Sequence, residues 1–264
     1  MKEARRLVKK LRGVDPALAT DPKIDRAIRR GVEWLYSKQD RELHWEDPEK
    51  RDHTWGGRTA LAAYALTMAG ESPRDNEALR RAVGWVFAQD MDGTYAVCFR
   101  AHLWETVPRD RRLDRRVLGD MNRLKGSMYR NGTNGYWLRQ QSKSGDLSTT
   151  LGGYLTQWLG ETNGINAVTD LHWARIADVL CQRQGEDGGW GYRKDRETTL
   201  TMTAAAMTVL LMAVERDHLK GEFEPQRVKA DKAIERGMYY LDTNFTPSPG
   251  GRWSNYCLAA IQHV

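Results

Sequence analysis

The side chains best suited to chemistry fall into four short groups, each beside the start of an apolar segment: Asp52, His53 and Arg58; Asp92, Tyr95 and Arg100; Asp187, Tyr192 and Arg196; Arg252, Asn255 and Tyr256. Carboxylates, phenols and guanidinium groups at one recurring place could bind a polar group or relay a proton. No established catalytic motif accompanies them: the chain has no HExxH, Walker-type loop, dinucleotide fingerprint or Gly-x-Ser-x-Gly elbow. Asp90-Met91-Asp92 is the nearest approach to an acid motif, but it stands before Gly93 in a segment that reads as a turn, where Asp and Gly are ordinary. His53, a lone histidine, reads as a structural hydrogen-bonding partner. Cys98, Cys181 and Cys257 form no CxxC and each lies in an apolar helical run, so they read as small buried hydrophobes and not as metal ligands. These residues imply no metal and no cofactor.

The elements that would position these groups come from an internal repeat. Gly93-Thr94-Tyr95, Gly135-Tyr136-Trp137, Gly188-Gly189-Trp190 and Gly251-Arg252-Trp253 share a Gly-x-aromatic pattern, and Leu43-His44-Trp45 is a weaker first copy. The copies lie on the order of 50 residues apart, a period that means stacked supersecondary units. Upstream of three of them one helix recurs: Ala27 to Trp34 is echoed by Ala78 to Trp85 and by Ala233 to Tyr240. In its first copy Ile24, Ile28, Gly31 and Leu35 form one apolar stripe, predicted to be buried, with Arg26, Arg29, Arg30 and Glu33 left for water. Trp34, Trp85 and Tyr240 hold one repeat position and are expected to share one largely buried environment.

A second kind of helix follows each turn, rich in small and apolar residues. Residues 59–69, ended by Gly70, and 198–214 are the clearest cases. Charged outer helices thus alternate with apolar inner ones, in five pairs at roughly 22–70, 76–107, 110–160, 167–216 and 227–264. Hydrophobic residues make up 40% of the chain and charged residues 29%, with ten tryptophans, enough for a large core and unlike a disordered composition. No stretch has the roughly 18 uninterrupted apolar residues of a membrane span.

Basic residues exceed acidic ones, 41 to 35, with the excess concentrated in residues 1–12 and 109–116. Neither run has interleaved aromatics for stacking on bases, so both read as solvated helix faces with no nucleic-acid partner. The first 21 residues form a basic segment without the apolar core of a secretory signal, and the expected location is cytoplasmic unless a leader precedes this sequence.

Two copies resemble the QW repeat of squalene and oxidosqualene cyclases, a pattern related to the helical hairpins of protein prenyltransferase β subunits. Arg30, Gly31, Trp34, Leu35 and Gln39 match its first part, and Gln184, Gly188 and Trp190 its second. A third copy keeps the frame with Arg236, Gly237, Tyr240, Gly251 and Trp253, but has Phe245 in place of the glutamine. The resemblance runs from about residue 22 to the end, and Gly31, Trp34, Gln39, Trp85, Trp137, Gln184, Gly188, Trp190, Tyr240, Gly251 and Trp253 are its structural positions. It implies an all-α fold, an α/α toroid over residues 22–264 with inner helices forming a barrel around an aromatic-lined centre able to hold an isoprenoid-like molecule. The four polar groups would then face that centre. Because such toroids close with about six hairpins and five are visible here, the ring is expected to be incomplete, finished by further domains or a partner.

The chemistry that the resemblance brings is less complete. Class II cyclases use an aspartic acid of a DxDD motif, and none occurs. Protein prenyltransferases hold zinc with an Asp-x-Cys and a later histidine. Here Asn255 stands before Cys257 where the aspartate should be, and His263 is on another helix face. The favoured expectation is a degenerate, non-catalytic toroid used for binding or as a scaffold. The alternatives are part of an active isoprenoid cyclase or prenyltransferase whose catalytic residues lie beyond Val264, and a carbohydrate-active α/α toroid.

Overall fold

Short polar side chains cap the starts of several of the helices. The computed structural model describes residues 22–138 and 145–245, and these form nine α-helices: α1 Pro22–Ser37, α2 Gly57–Met68, α3 Glu77–Ala88, α4 Thr94–Trp104, α5 Arg111–Ser127, α6 Leu147–Thr162, α7 Asp170–Arg183, α8 Leu200–Glu215 and α9 Glu224–Asn244. Asn76 accepts from the Leu79 amide at 3.1 Å, Asp110 from the Arg112 and Leu113 amides at 2.8 Å, and Thr199 from the Met202 amide at 3.1 Å. Each side chain satisfies amides that a helix start leaves without a backbone partner. At the other end of α2, Gly70 adopts φ +94°, letting the Gly70 and Glu71 amides return to the Thr67 and Leu66 carbonyls at 3.0 Å. That is the glycine stop legible in the sequence.

The two kinds of helix separate into layers. Helices α2, α4, α6 and α8 are apolar and largely buried, and each packs against the next in a row. Their starts adjoin: a Cβ on Gly57 would lie 3.0 Å from the Ala96 Cα, and Tyr95 reaches Ser148. Their ends adjoin as well, through Thr67–Thr106, Glu105–Asn163 and Glu161–His218 contacts. The row is therefore parallel, and the charged helices α3, α5, α7 and α9 carry the chain back along its outside. Its end members α2 and α8 form no interface with each other among the described residues.

The first helix departs from expectation. It packs chiefly against α2, with Val32, Leu35 and Tyr36 half-buried against the first core cluster, and has no fully buried residue; Ile24, Ile28 and Trp34 are exposed, Trp34 to 59%. Gly31 faces open space, whereas Gly237 at the same repeat position is buried where a Cβ would meet Met207 Sδ at 2.6 Å. The cause is the preceding repeat. Trp85 is half-buried because His44 and Trp55 of the first repeat lie against its ring, at centroid distances of 4.6 and 5.8 Å, and no described element stands before α1 to do the same for Trp34. Tyr240 is buried. The three aromatics thus share a repeat position but not an environment.

A second departure is a small hairpin. Trp190 pairs with Thr199 and Gly191 with Thr198, and an isolated bridge joins Gly93 to Trp137. Gly191 permits the hairpin, since a Cβ there would lie 2.2 Å from the Arg196 carbonyl oxygen. The inner helix expected in the fifth pair, with Arg252, Asn255, Tyr256, Gly251, Trp253 and Cys257, lies outside the described residues.

Candidate functional site

The turns between outer and inner helices of the first and fourth repeats are built alike. In the first repeat Trp45 Nε1 donates to the Leu35 carbonyl ten residues upstream at 2.8 Å, the Trp45 amide donates to Thr59 Oγ1 at 3.1 Å, and Gln39 Nε2 donates to the Leu43 carbonyl at 3.0 Å. In the fourth repeat Trp190 Nε1 donates to the Leu180 carbonyl, also ten residues upstream and 2.8 Å away, the Trp190 amide to Thr203 Oγ1 at 3.0 Å, and Gln184 Nε2 to the Gly188 carbonyl at 2.8 Å. Gln184 also reaches the Ala233 carbonyl on α9 at 2.8 Å, so the glutamine stitches one repeat to the next. Each joint satisfies carbonyls at a helix end that would otherwise lack donors.

In the third repeat the joint is made by Asn134, not by Trp137. Asn134 Nδ2 points to the Leu124 carbonyl ten residues upstream at 3.4 Å, and its amide donates to Thr150 Oγ1 at 3.1 Å. Gly153 leaves room for it, since a Cβ there would lie 2.3 Å from Asn134 Oδ1. Trp137 is displaced outward to stand 5.5 Å from the His53 ring. In the second repeat Arg100 takes over. Fully buried on α4, it donates to the Gln89 carbonyl at 2.7 Å and pairs with buried Asp120 on α5 through Nε to Oδ2 at 2.8 Å and a second bond from Nη2 to Oδ1. Burial pushes the Arg100 guanidinium down and the Asp120 carboxyl up from their ordinary values, while their mutual attraction opposes both. Arg100 is thus an internal strut and does not face a cavity.

Around the starts of α4 and α6 lies the densest polar and aromatic cluster. Tyr95 Oη donates to Ser148 Oγ at 2.6 Å, and Ser148 donates to Asp146 Oδ1 at 2.6 Å. Asp146 is buried and also accepts from the Thr149 amide at 2.9 Å as the cap of α6. Tyr192 bonds through its hydroxyl to that of Tyr136, and burial, the Tyr136 bond and the Asp146 charge push its phenol far above the ordinary range. Tyr136 in turn lies 5.1 Å from the His53 ring and 6.2 Å from that of Tyr95. Of the polar residues singled out from sequence, His53, Tyr95 and Tyr192 are therefore brought together. Asp146, Ser148 and Tyr136 complete the cluster; the Asp-x-x-Thr spacing of a helix cap was the signal for Asp146.

The other candidates are elsewhere. Asp52 accepts from Thr54 Oγ1 at 2.6 Å and the Thr54 amide at 2.7 Å, which hold its carboxyl below the usual range. Asp92 is exposed and pairs with Arg123 at 2.7 Å, Asp90 sharing that partner at 3.3 Å. Asp187 ties its own turn together, accepting from Thr198 Oγ1 at 2.6 Å and the Gly189 amide at 3.0 Å. Arg58 and Arg196 are exposed. Gly188 holds φ +89° under the Arg236 backbone, where a side chain would be strained and crowded. Burial raises the Cys98 thiol to about 12 and the half-buried Cys181 thiol to about 11, so both are protonated at neutral pH. Among the described residues no three His, Cys, Asp or Glu side chains are grouped to hold a metal, and no helix is long and apolar enough to cross a membrane. Comparison with protein-family models finds no family that matches the chain, and comparison with curated proteins finds no match.

Proposed function

We propose that the chain is a non-catalytic helical-repeat module, an arc of an α/α toroid, that binds an apolar, isoprenoid-like molecule near the starts of its inner helices and serves as a scaffold for a partner or further domain. The observation that carries this reading is the engagement of the carboxylates at those starts. Glu46 accepts from the Thr59 amide and hydroxyl, Asp146 caps α6, Asp52 and Asp187 tie their turns, and Asp92 faces Arg123. An acid catalyst needs a carboxyl that holds a proton and can release it to substrate. These carboxylates are instead occupied as acceptors of structural hydrogen bonds and ion pairs.

The same arrangement argues about the ligand. Helix starts attract anions, but the amides that would hold a diphosphate are already taken at α6 by Asp146 and at α2 by Glu46. An apolar molecule lying against His53, Tyr95, Tyr136 and Trp137 needs no such amides. The exposed Ile24, Ile28 and Trp34 of α1 support the scaffold role. The test is incubation of the purified chain with squalene, or with a prenyl diphosphate and a thiol peptide, followed by product analysis and metal quantification. Expected are no product and no stoichiometric zinc. Turnover lost on Asp146→Asn or Asp187→Asn would overturn the reading.

A further inference from the structure

Each described turn between an outer helix and its inner helix lies against the outer helix that follows. His44 meets Trp85 of α3 at a centroid distance of 4.6 Å, Asp92 accepts from Arg123 of α5 at 2.7 Å, a Cβ on Gly132 would lie 3.3 Å from the Ile176 amide nitrogen of α7, and one on Gly188 would lie 2.6 Å from the Arg236 carbonyl oxygen of α9. The last of these joints shows what an outer helix docks with. Arg236 donates to the Gly185 and Glu186 carbonyls at 2.8 and 3.0 Å, Gln184 Nε2 donates to the Ala233 carbonyl at 2.8 Å, and a Cβ on Gly237 would run into Met207 Sδ at 2.6 Å and Trp190 Cζ3 at 2.9 Å. Ala230, Ala233 and Tyr240 are buried in it.

Helix α1 carries the same face without that cover. Ile24, Ala27, Arg30, Gly31 and Trp34 hold the places of Ala230, Ala233, Arg236, Gly237 and Tyr240, yet all five are exposed, and a Cβ on Gly31 would have no neighbour within 4 Å. The inner helix beside it is open too. Thr59 and Thr203 play the same part in their turns, and in that register Leu61, Ala65 and Met68 of α2 are exposed where Ala205, Val209 and Met212 of α8 are buried. At the other end of the array no described outer helix follows α9. Gln184 and Asp178, through which α7 holds Ala233, Gln226 and Lys229 of α9, are matched on α9 by Phe245 and Tyr239, two exposed aromatics. Exposed apolar surface at both ends of a repeat array marks places where a further unit can stack. Within one chain the two ends do not meet, since α1 and α9 form no interface among the described residues.

We propose that the chain associates head to tail with a second copy of itself, α1 of one molecule docking against α9 of the next as α9 docks against α7. Arg30 then meets the Phe245 ring of the other copy where Arg236 meets Gln184 at 3.3 Å, a cation–π contact in place of a hydrogen bond. The two surfaces differ, so the contact is heterologous and growth continues past the dimer unless the rotation closes a ring. This rests on the scaffold reading and names its partner; the ligand plays no part in it.

Sedimentation of the full chain is the test. The weight-average mass is expected to rise with concentration, and each of two substitutions at exposed places should raise the dissociation constant about tenfold or more. Gly31→Gln adds a side chain that the free α1 accommodates in open space and the joint does not. Tyr239→Lys sets a cation against a helix that already carries Arg26, Arg29 and Arg30. Neither should change the circular dichroism. Mixed in equal amounts, the two variants should form a dimer that grows no further, because one keeps its α9 side and the other its α1 face. A chain that stays monomeric through about 0.3 mM overturns the proposal and leaves the non-catalytic reading to its own turnover assay. Association unchanged by Gly31→Gln, or lowered by it but not by Tyr239→Lys as pairing of two α1 faces would give, overturns it as well. So does a mixture of the two variants that fails to associate.

Discussion

Trp45, Asn134 and Trp190 each point a side-chain N–H at the carbonyl ten residues before them, and each has its own amide held by a threonine of the following inner helix. The energetic weight of the three is not equal, because Trp190 is 1% exposed while Trp45 is half-buried and Asn134 fills the place with an amide. Trp190→Ala should therefore cost about 3–5 kcal/mol in urea unfolding, the range for emptying a buried aromatic site. Trp34→Ala, at 59% exposure, should cost under about 1 kcal/mol despite the stronger repeat match around it. Equal losses at the two sites would refute the assignment of their environments. Arg100 and Asp120 supply a comparable contrast: Asp120→Ala strands a buried guanidinium and should cost about 3–5 kcal/mol, whereas Asp92→Ala removes an exposed partner of Arg123 and should cost under about 1 kcal/mol. The sequence offered no sign of the buried pair. Arg100 looked like one more entrance residue, and its partner lies twenty positions away on a helix of different phase.

Among elements, the helices were legible because their two signals are local: a cap or glycine at the boundary and an apolar face with helical period. Residues 59–69 and 198–214, read as inner helices, fall on α2 and α8, and 22–38 and 76–88 on α1 and α3. What was not legible depends on neighbours. The stripe on α1 has the right period and yet is covered only at Leu35, and the Gly-x-aromatic of the third repeat marks the turn but not the residue that makes the joint. The loop after α8 is another neighbour effect. Asp217 turns the backbone with φ 60° and sets His218 against the Trp173 ring, 4.7 Å between centroids and 6° from parallel, with Nε2 2.9 Å from Glu161 on α6 and Nδ1 2.8 Å from Asp170 on α7. Desolvation lowers the His218 pKa, but the bonds and charges of Glu161 and Asp170 outweigh it and the net shift is upward. A raised folded-state value means that the charged pairings stabilise fully below the unfolded pKa of about 6.5 and are lost as pH rises through the folded value. Between about pH 5.5 and pH 8.5 the thermal midpoint should fall for the unaltered chain relative to His218→Gln. Parallel curves for the two would show that His218 contributes no such linkage.

At the scale of the whole molecule, the buried apolar residues form two clusters, one around Leu66, Leu79, Val86, Leu103 and Leu124, the other around Tyr154, Trp173, Trp190 and Met207. A repeat array unfolds as one unit only if the interface between neighbours is strong enough to couple them. Here the coupling runs through α4 and α6, with α5 also packed on α6. Cys98, although on α4, belongs to the second cluster; Tyr95 bonds Ser148; and Gly152 lets the helices approach, with a Cβ there reaching Cys98 Cβ at 3.5 Å. That distance is ordinary contact, so Gly152→Ala should be tolerated at the interface. A leucine at this position would have to displace Cys98 or separate the helices, an overpacking cost of about 1–3 kcal/mol borne by an interface that joins the clusters. The unaltered chain and Gly152→Ala should then unfold in urea with one transition, coincident by circular dichroism and tryptophan fluorescence. Gly152→Leu should broaden or split the fluorescence transition, since each cluster contains a buried indole, Trp104 in the first and Trp173 and Trp190 in the second. Two transitions in the unaltered chain, or a single one with an unchanged midpoint in Gly152→Leu, would mean that the halves are coupled somewhere other than the α4–α6 contact.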